Sequence, residues 1–271
     1  MTGQQTGGRG RSTALRWTWR GRVRRFFDRA LLPEPFAQHF DAIVVIHLDR
    51  AVRRRARFEQ TFRETGIRDY RVLRAVDGTT LDLAAMRTRG ELVPYHGKDL
   101  SPGAVGCVLS HRMAWQLMLD EGIERMLICE DDIQFRIGAR WWLRQHMASM
   151  PGDWDIIHFY SSAGVGSGRG PDRDREHVAG SVHRGYWEGG TTLCYAVSRA
   201  AAAYLIERSH PISLPADGIT AWATGTAPGA GRAVGLHGYT VTPFICRPWN
   251  RDSYIVERPA GEGPAGQPAG P

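Results

Sequence analysis

The sequence predicts an α/β domain with a mostly parallel central sheet flanked by helices. Three observations carry that expectation. Short apolar runs alternate with helix-period segments along the body of the chain. At 271 residues with 42% hydrophobic side chains, the chain holds enough apolar material for one sizeable core. Three acids, Glu130-Asp131-Asp132, directly follow the apolar run Met126 to Cys129. In open α/β sheets, ligands bind outside the carboxyl ends of strands.

The elements follow in order. Residues 1–12 are Gly, Gln, Thr and Arg and read as disordered. Between Leu15 and Leu31, apolar residues including Trp19, Val23, Phe26 and Phe27 recur at helical spacing among arginines, until Pro33 and Pro35 end the pattern. Residues 1–40 are therefore read as a basic, partly amphipathic arm, 41–257 as the folded domain and 258–271 as a disordered Pro/Gly tail. Ile43 to Leu48 is the first strand. An arginine-rich helix follows to about Glu64, with Gly66 as its stop. Tyr70 to Val76 is a second strand, closed by the turn pair Asp77-Gly78. Ser101 and Pro102 are an N-cap and first-turn proline for a buried helix ending at Gly122. Strands are expected at Met126 to Cys129, Trp154 to Tyr160, Thr191 to Val197 and Tyr239 to Ile245. A surface loop is expected at 161–181 and an alanine-rich helix from Ser198 to about Glu207.

Charge and cysteine usage narrow the function classes. The net charge is +7, and residues 1–40 hold eight arginines against two acids, Asp28 and Glu34, which leaves the rest nearly neutral. A nucleic-acid binder usually carries its basic face on the folded body, so no nucleic-acid partner is expected. The arm pairs Trp17, Trp19, Phe26 and Phe27 with those arginines, a pattern suited to peripheral contact with an anionic membrane or to packing back on the domain. No apolar run reaches membrane-spanning length and no signal-peptide centre stands at the start. Cys107, Cys129, Cys194 and Cys246 show no C-x-x-C spacing and read as small buried side chains. The expected location is cytoplasmic.

Several residues could carry chemistry. Three adjacent carboxylates at a strand end repel one another unless a cation or donors offset them. Glu130, Asp131 and Asp132 thus suit Mn²⁺ or Mg²⁺, though acids are also common in solvated turns and at helix starts. Arg50 and Arg54, four apart after the first strand, would share one helix face and match diphosphate oxygens, or simply form a solvated basic face. Ser110-His111 lies mid-helix, where the histidine would bond a substrate hydroxyl, a phosphate oxygen or the core. Asp217, held between Pro215 and Gly218, is a general base or a turn cap. His237 is a weak candidate for an additional metal ligand.

Read together, Ile46-His47-Leu48-Asp49-Arg50, Ala75-Val76-Asp77-Gly78, Gly103 through Ser110-His111, Ile128-Cys129-Glu130-Asp131-Asp132-Ile133, Trp154-Asp155-Ile156, Gly190-Thr191 with Tyr195 and Ser198, and Pro215-Ala216-Asp217 resemble glycosyltransferase family 25. These are lipopolysaccharide-biosynthesis glycosyltransferases related to collagen galactosyltransferases. The resemblance spans about residues 41–245. It implies a GT-A-like fold, a UDP-sugar donor such as UDP-galactose, a metal at the acidic triplet, and inversion at the anomeric carbon. The acceptor is then a glycan or lipid-linked glycan. Asp77, Ser110, His111 and Thr191 are expected near the donor, with Arg50 and Arg54. Asp217 is the first choice for the base and Glu188 the second. His47 and Ala216 depart from the family's usual asparagine and valine. The rivals are a metal-dependent nucleotide-sugar hydrolase and a non-catalytic membrane- or nucleic-acid-binding protein that uses the arm.

Overall fold

The structure, a computed structural model, describes residues 35–94, 97–161, 176–185, 191–224 and 236–249. Most of the arm, Glu188 and the Pro/Gly tail lie outside the described residues. In chain order the elements are α1 (Phe36–His39), β1 (Ala42–His47), α2 (Val52–Thr65), β2 (Arg71–Arg74), α3 (Leu83–Thr88), α4 (Pro102–Glu121), β3 (Arg125–Glu130), β4 (Ile133–Phe135), α5 (Ala139–Ser149), β5 (Ile156–His158), β6 (His177–Ala179), β7 (Val182–Arg184), β8 (Cys194–Ser198), α6 (Arg199–Arg208), α7 (Ala216–Ala223), β9 (Gly238–Val241) and β10 (Cys246–Pro248).

Eight strands form one sheet in the order β2-β1-β3-β8-β5-β9-β7-β6, and β4 pairs with β10 in a separate ribbon. The α/β class and the helix-flanked sheet agree with the sequence. The sheet is mixed. β8 runs antiparallel to both β3 and β5, and β7 runs antiparallel to both β9 and β6. The pairs β1–β2, β1–β3 and β5–β9 are parallel, so every strand except β7 and β8 points the same way.

Side chains alternate across this sheet and feed two cores. Ile43, Val45, Leu127, Cys129 and Ala196 face one side, against Phe58 and Phe62 of α2 and Leu143 of α5. Val44, Ile46, Met126, Ile128 and Val197 face the other, against Val105 and Trp115 of α4 and Leu205 of α6. Burial on both faces explains why these strands read as continuous apolar runs.

Helix α4 forms as its signals require. The Ser101 hydroxyl accepts from the Ala104 amide at 3.2 Å, Pro102 takes the first position, and Gly122 closes the helix at φ 67°. Gly106 lets it approach the chain at Val76–Gly78. A Cβ there would stand 2.7 Å from the Val76 carbonyl and the Gly78 amide. Ser110, one turn on, accepts from the Val76 amide at 2.9 Å. Helix and loop are thus locked at the carboxyl end of the sheet.

Four expectations need correction. Phe36 and Phe40 are core residues, with Phe36 edge-on to Phe135 at 5.4 Å, so the folded body includes residues assigned to the arm. Part of the expected surface loop at 161–181 is strand, because His177–Ala179 and Val182–Arg184 pair as a hairpin on the sheet edge. The last strand pairs only over Gly238–Val241, since Pro243 has no amide to donate to a ladder. The segment around Asp217 is the first turn of α7 and not a loop.

Candidate active site

The site forms where the carboxyl ends of β1 and β3 meet the residues before β8 and the start of α7. Two cavities open there. The narrower, about 100 Å³, is lined by Leu48, Arg50, Arg54, Val76, Ser110 and His111 among others. The wider, about 370 Å³, is lined by residues including Ala104, Tyr160, Thr191, Thr192, Asp217 and Pro248. Cys107, Glu130 and Asp132 border both, so the acidic triplet stands at their junction.

The three acids have different partners because strand alternation sends them to different sides. Asp131 turns toward α2 and makes three hydrogen bonds. One oxygen bonds His47 Nδ1 at 2.8 Å and accepts from the Leu48 amide at 3.2 Å, while the other accepts from Arg54 at 2.7 Å. His47 is itself buried and sits edge-on to Phe58 at 5.5 Å. Both Asp131 oxygens are thus engaged by the protein, while the residue still borders the narrow cavity beside Glu130 and Asp132. Glu130 turns toward α4. Its Oε1 accepts from Thr192 Oγ1 at 2.6 Å and stands 3.5 Å from His111 Nε2. Burial works to raise its carboxyl. The nearby His111 ring, the Thr192 hydroxyl and Arg54 outweigh that and hold it below the ordinary range.

Asp132 is the unsatisfied member. Its Oδ1 is buried without a hydrogen-bond partner, and Oδ2 has Arg54 only at 3.8 Å. Burial first, then the charge of Glu130, pushes its carboxyl up to about 7, with Arg54 offsetting part of the shift. A cation beside such an oxygen relieves both terms. Glu130 and Asp132 are hard oxygen donors on one opening, a fit for Mg²⁺ or Mn²⁺.

The remaining predicted residues gather here, with different occupations. Arg50 pairs with Asp77 at 2.7 Å, and this bond, with those from Thr79, holds the Asp77 carboxyl below its usual value. Asp77 therefore caps the short turn at Gly78–Thr80 and orients Arg50. The Ser110 hydroxyl accepts from Val76 and donates to the Gly106 carbonyl at 2.6 Å, which makes it a fastener for the cavity wall. Thr191 lines the wide cavity, and its hydroxyl accepts from the Leu193 amide at 3.3 Å. Asp217 lines the same cavity from the first turn of α7. Its carboxyl accepts from the Gly218 amide at 2.9 Å, and burial raises it above the ordinary range, with Glu130 adding to the rise. His237 precedes β9 and so lies at the amino end of the sheet, bonded to the Asp153 carbonyl at 3.2 Å. It is no partner of the triplet.

Sequence reasoning missed His47, Cys107, Trp115, Thr192 and Tyr195. His111 Nδ1 lies 2.9 Å from the Tyr195 hydroxyl, which accepts from Trp115 Nε1 at 2.8 Å. All three side chains are fully buried. Indole nitrogen only donates, so the tyrosine oxygen accepts from Trp115 and its own O–H points to His111 Nδ1. The opposite arrangement, with His111 Nδ1–H donating, leaves the Tyr195 O–H without an acceptor, a cost of roughly 1–3 kcal/mol. We therefore assign His111 as the neutral Nε2–H tautomer. Cys107, His111 and Glu130 offer ligand atoms within 4.8 Å of one another. The tautomer presents a proton to that cluster instead of a lone pair, which disfavours a thiolate–imidazole metal site.

Comparison with known proteins then places the sequence. Residues 40–162 match the family model described as Glycosyltransferase family 25 (LPS biosynthesis protein). Over this stretch the chain matches family 25. It is 34% identical over 202 residues to the "Probable inactive glycosyltransferase 25 family member 3" of Rattus norvegicus, covering 68% of this chain and 33% of that protein. It is 31% identical over 195 residues to the "Procollagen galactosyltransferase 1" of Danio rerio, covering 66% and 30%. It is 35% identical over 196 residues to the "Inactive glycosyltransferase 25 family member 3" of Homo sapiens, covering 66% and 31%. The chain thus spans about a third of the length of these relatives. The family 25 match runs from Phe40 through β1, α4 and the triplet to just past β5, and so includes the whole narrow cavity. Among the described residues, no helix is long and apolar enough to cross a membrane.

Proposed function

We propose that this chain transfers a sugar, galactose first among candidates, from a UDP-sugar to a glycan or lipopolysaccharide-type acceptor, with divalent-metal assistance and inversion. One observation carries the reading. The buried, unpartnered oxygen of Asp132 stands beside Glu130 where a narrow arginine-lined cavity meets a wider one. The narrow cavity suits a nucleoside diphosphate, with the transferred sugar at the junction and the acceptor in the wide cavity. The relatives' names divide between inactive proteins and galactosyltransferases, so likeness alone does not choose. The open carboxylates at the junction support activity.

Glu130 and Asp132 would hold Mn²⁺ or Mg²⁺, whose chemistry is to neutralise charge developing on the UDP leaving group. Arg50 and Arg54 add positive charge on the nucleotide side. Asp217 takes the proton from the acceptor hydroxyl. The hydroxyl oxygen bonds to the anomeric carbon from the face opposite the diphosphate. The bond to the diphosphate oxygen breaks with its electron pair left on UDP, and Asp217 later releases its proton to solvent. A single displacement of this kind inverts the anomeric centre. A carboxyl raised by burial is a stronger base than an ordinary aspartate, which suits Asp217 to the role. A screen of UDP-sugars for binding and turnover, with and without Mn²⁺, tests the reading. Hydrolysis at the same rate with and without acceptors would favour a nucleotide-sugar hydrolase instead.

The basic arm is proposed to attach the protein to an anionic membrane surface, where a lipid-linked acceptor would lie. Each basic residue near such a surface contributes about 1 kcal/mol. Co-sedimentation with anionic vesicles should fall at high salt and vanish when residues 1–32 are removed. An intact protein that ignores these vesicles at low salt refutes this attachment.

A further inference from the structure

His111 offers a donor that the protein itself does not use. Its ring is fully buried in α4, yet Nε2 has no hydrogen-bond partner and borders the narrow cavity at the junction. Glu130 Oε1 lies 3.5 Å away but outside bonding geometry. The chain of donors from Trp115 through Tyr195 to Nδ1 leaves the proton on Nε2. Burial keeps the Tyr195 hydroxyl protonated, as the chain requires.

An N–H donor next to a carboxylate acceptor matches a group that both accepts and donates. A hydroxyl both accepts and donates, so it can take the Nε2 proton on its oxygen and give its own to Glu130. Thr192 occupies one lone pair of Oε1, and a carboxylate has about four such positions, which leaves room for a further donor.

We propose that Trp115 and Tyr195 fix His111 as a neutral donor, and that the His111–Glu130 pair recognises one hydroxyl of the donor sugar. The sugar half rests on the glycosyltransferase reading above; the tautomer half stands without it. Trp115 and Tyr195 are positioning residues, buried in the second core and lining neither cavity. A site built to bond a hydroxyl strongly rejects the analogue lacking it, because its polar groups are then left unpaired.

Two measurements on the full chain test this. Nitrogen NMR of the histidine rings should show His111 with its proton on Nε2 in the wild type. Tyr195→Phe and, independently, Trp115→Phe should give a mixture of tautomers. A wild-type proton on Nδ1, or a ratio untouched in every folded variant, overturns the lock. The second measurement is kcat/KM for UDP-galactose and its deoxy analogues. One deoxy analogue should lose at least about tenfold in the wild type and much less in Tyr195→Phe, which narrows the gap between sugars. Deoxy analogues all handled like the parent sugar overturn the hydroxyl assignment. If no UDP-sugar is turned over, the glycosyl-transfer reading and the sugar half fail together, and the NMR result still decides the lock.

Discussion

The two cavities that meet at Glu130 and Asp132 are built in opposite ways. In the narrow one, away from the shared Glu130 and Asp132, the acids are matched. Asp131 is held by His47, the Leu48 amide and Arg54, and Asp77 by Arg50 and Thr79. At the junction and in the wide one, Asp132 and Asp217 are under-bonded. Asp132 has a buried oxygen without a partner, Asp217 accepts from its neighbouring amide, and burial raises both carboxyls. Matched acids hold a shape that is present before any ligand arrives. Under-bonded acids carry an energetic penalty that a cation or a substrate proton can relieve, and such groups suit chemistry.

Breaking the under-bonded side should have the largest effect. Asp132→Asn is expected to abolish transfer while circular dichroism shows an intact fold. Activity near the wild-type level would remove Asp132 from the mechanism. Asp217→Asn should lower turnover by at least about 10², the scale of a lost general base, with donor affinity little changed. Because burial raises its carboxyl, the wild-type rate should climb with pH through a limb above the ordinary aspartate range, and the variant should lose that limb. An unchanged pH profile places the base elsewhere, with Glu188 next to be substituted.

The matched side should answer in stability. Asp131→Ala leaves Arg54 and His47 around a buried gap, and removal of one partner from a buried pair costs about 3–5 kcal/mol. Thermal melting checks this, and a loss within experimental scatter would contradict the structural role. Asp132 should behave in the reverse sense. Its carboxyl is raised from 3.8 to about 7, so its folded form holds a proton more readily than the unfolded chain. The stability this gives is present below the unfolded value and lost as pH rises through about 7. Asp132→Asn should therefore gain in melting temperature relative to wild type from pH 5 to pH 8. A smaller effect is expected for Gly106→Ala, which forces α4 away from Val76–Gly78 at about 1–3 kcal/mol. The smallest belongs to Arg50→Ala, where a pair with Arg50 44% exposed contributes only about 0–1 kcal/mol.

Much of this architecture was legible in the sequence where the signal is local. The cap Ser101, Pro102 and the stop Gly122 bound α4 as read, and the triplet falls at the end of β3. The edge hairpin at 177–184 and the ribbon of β4 with β10 were missed because three-residue strands show no periodicity. α7 was read as a turn because Pro215 and Gly218 dominate its start, although the proline sits at the N-cap. The division of labour within the triplet was not legible either. It depends on His47 and Arg54, some eighty residues earlier, which reach Asp131 only after β1 and β3 pair. Trp115 carries no motif, and Tyr195 enters only through the family resemblance, without a role. Their contact with His111 exists because β8 lies beside β3 under α4.

The central claim is that Asp132, the acid with an unpartnered buried oxygen, is where a cation and the nucleotide meet. Calorimetric titration of UDP into wild type and Asp132→Asn, each with and without Mn²⁺, tests it most directly. The account predicts tight binding only for wild type with Mn²⁺, and a loss in the variant with its fold intact. UDP binding in the variant as strong and as metal-dependent as in the wild type would contradict it.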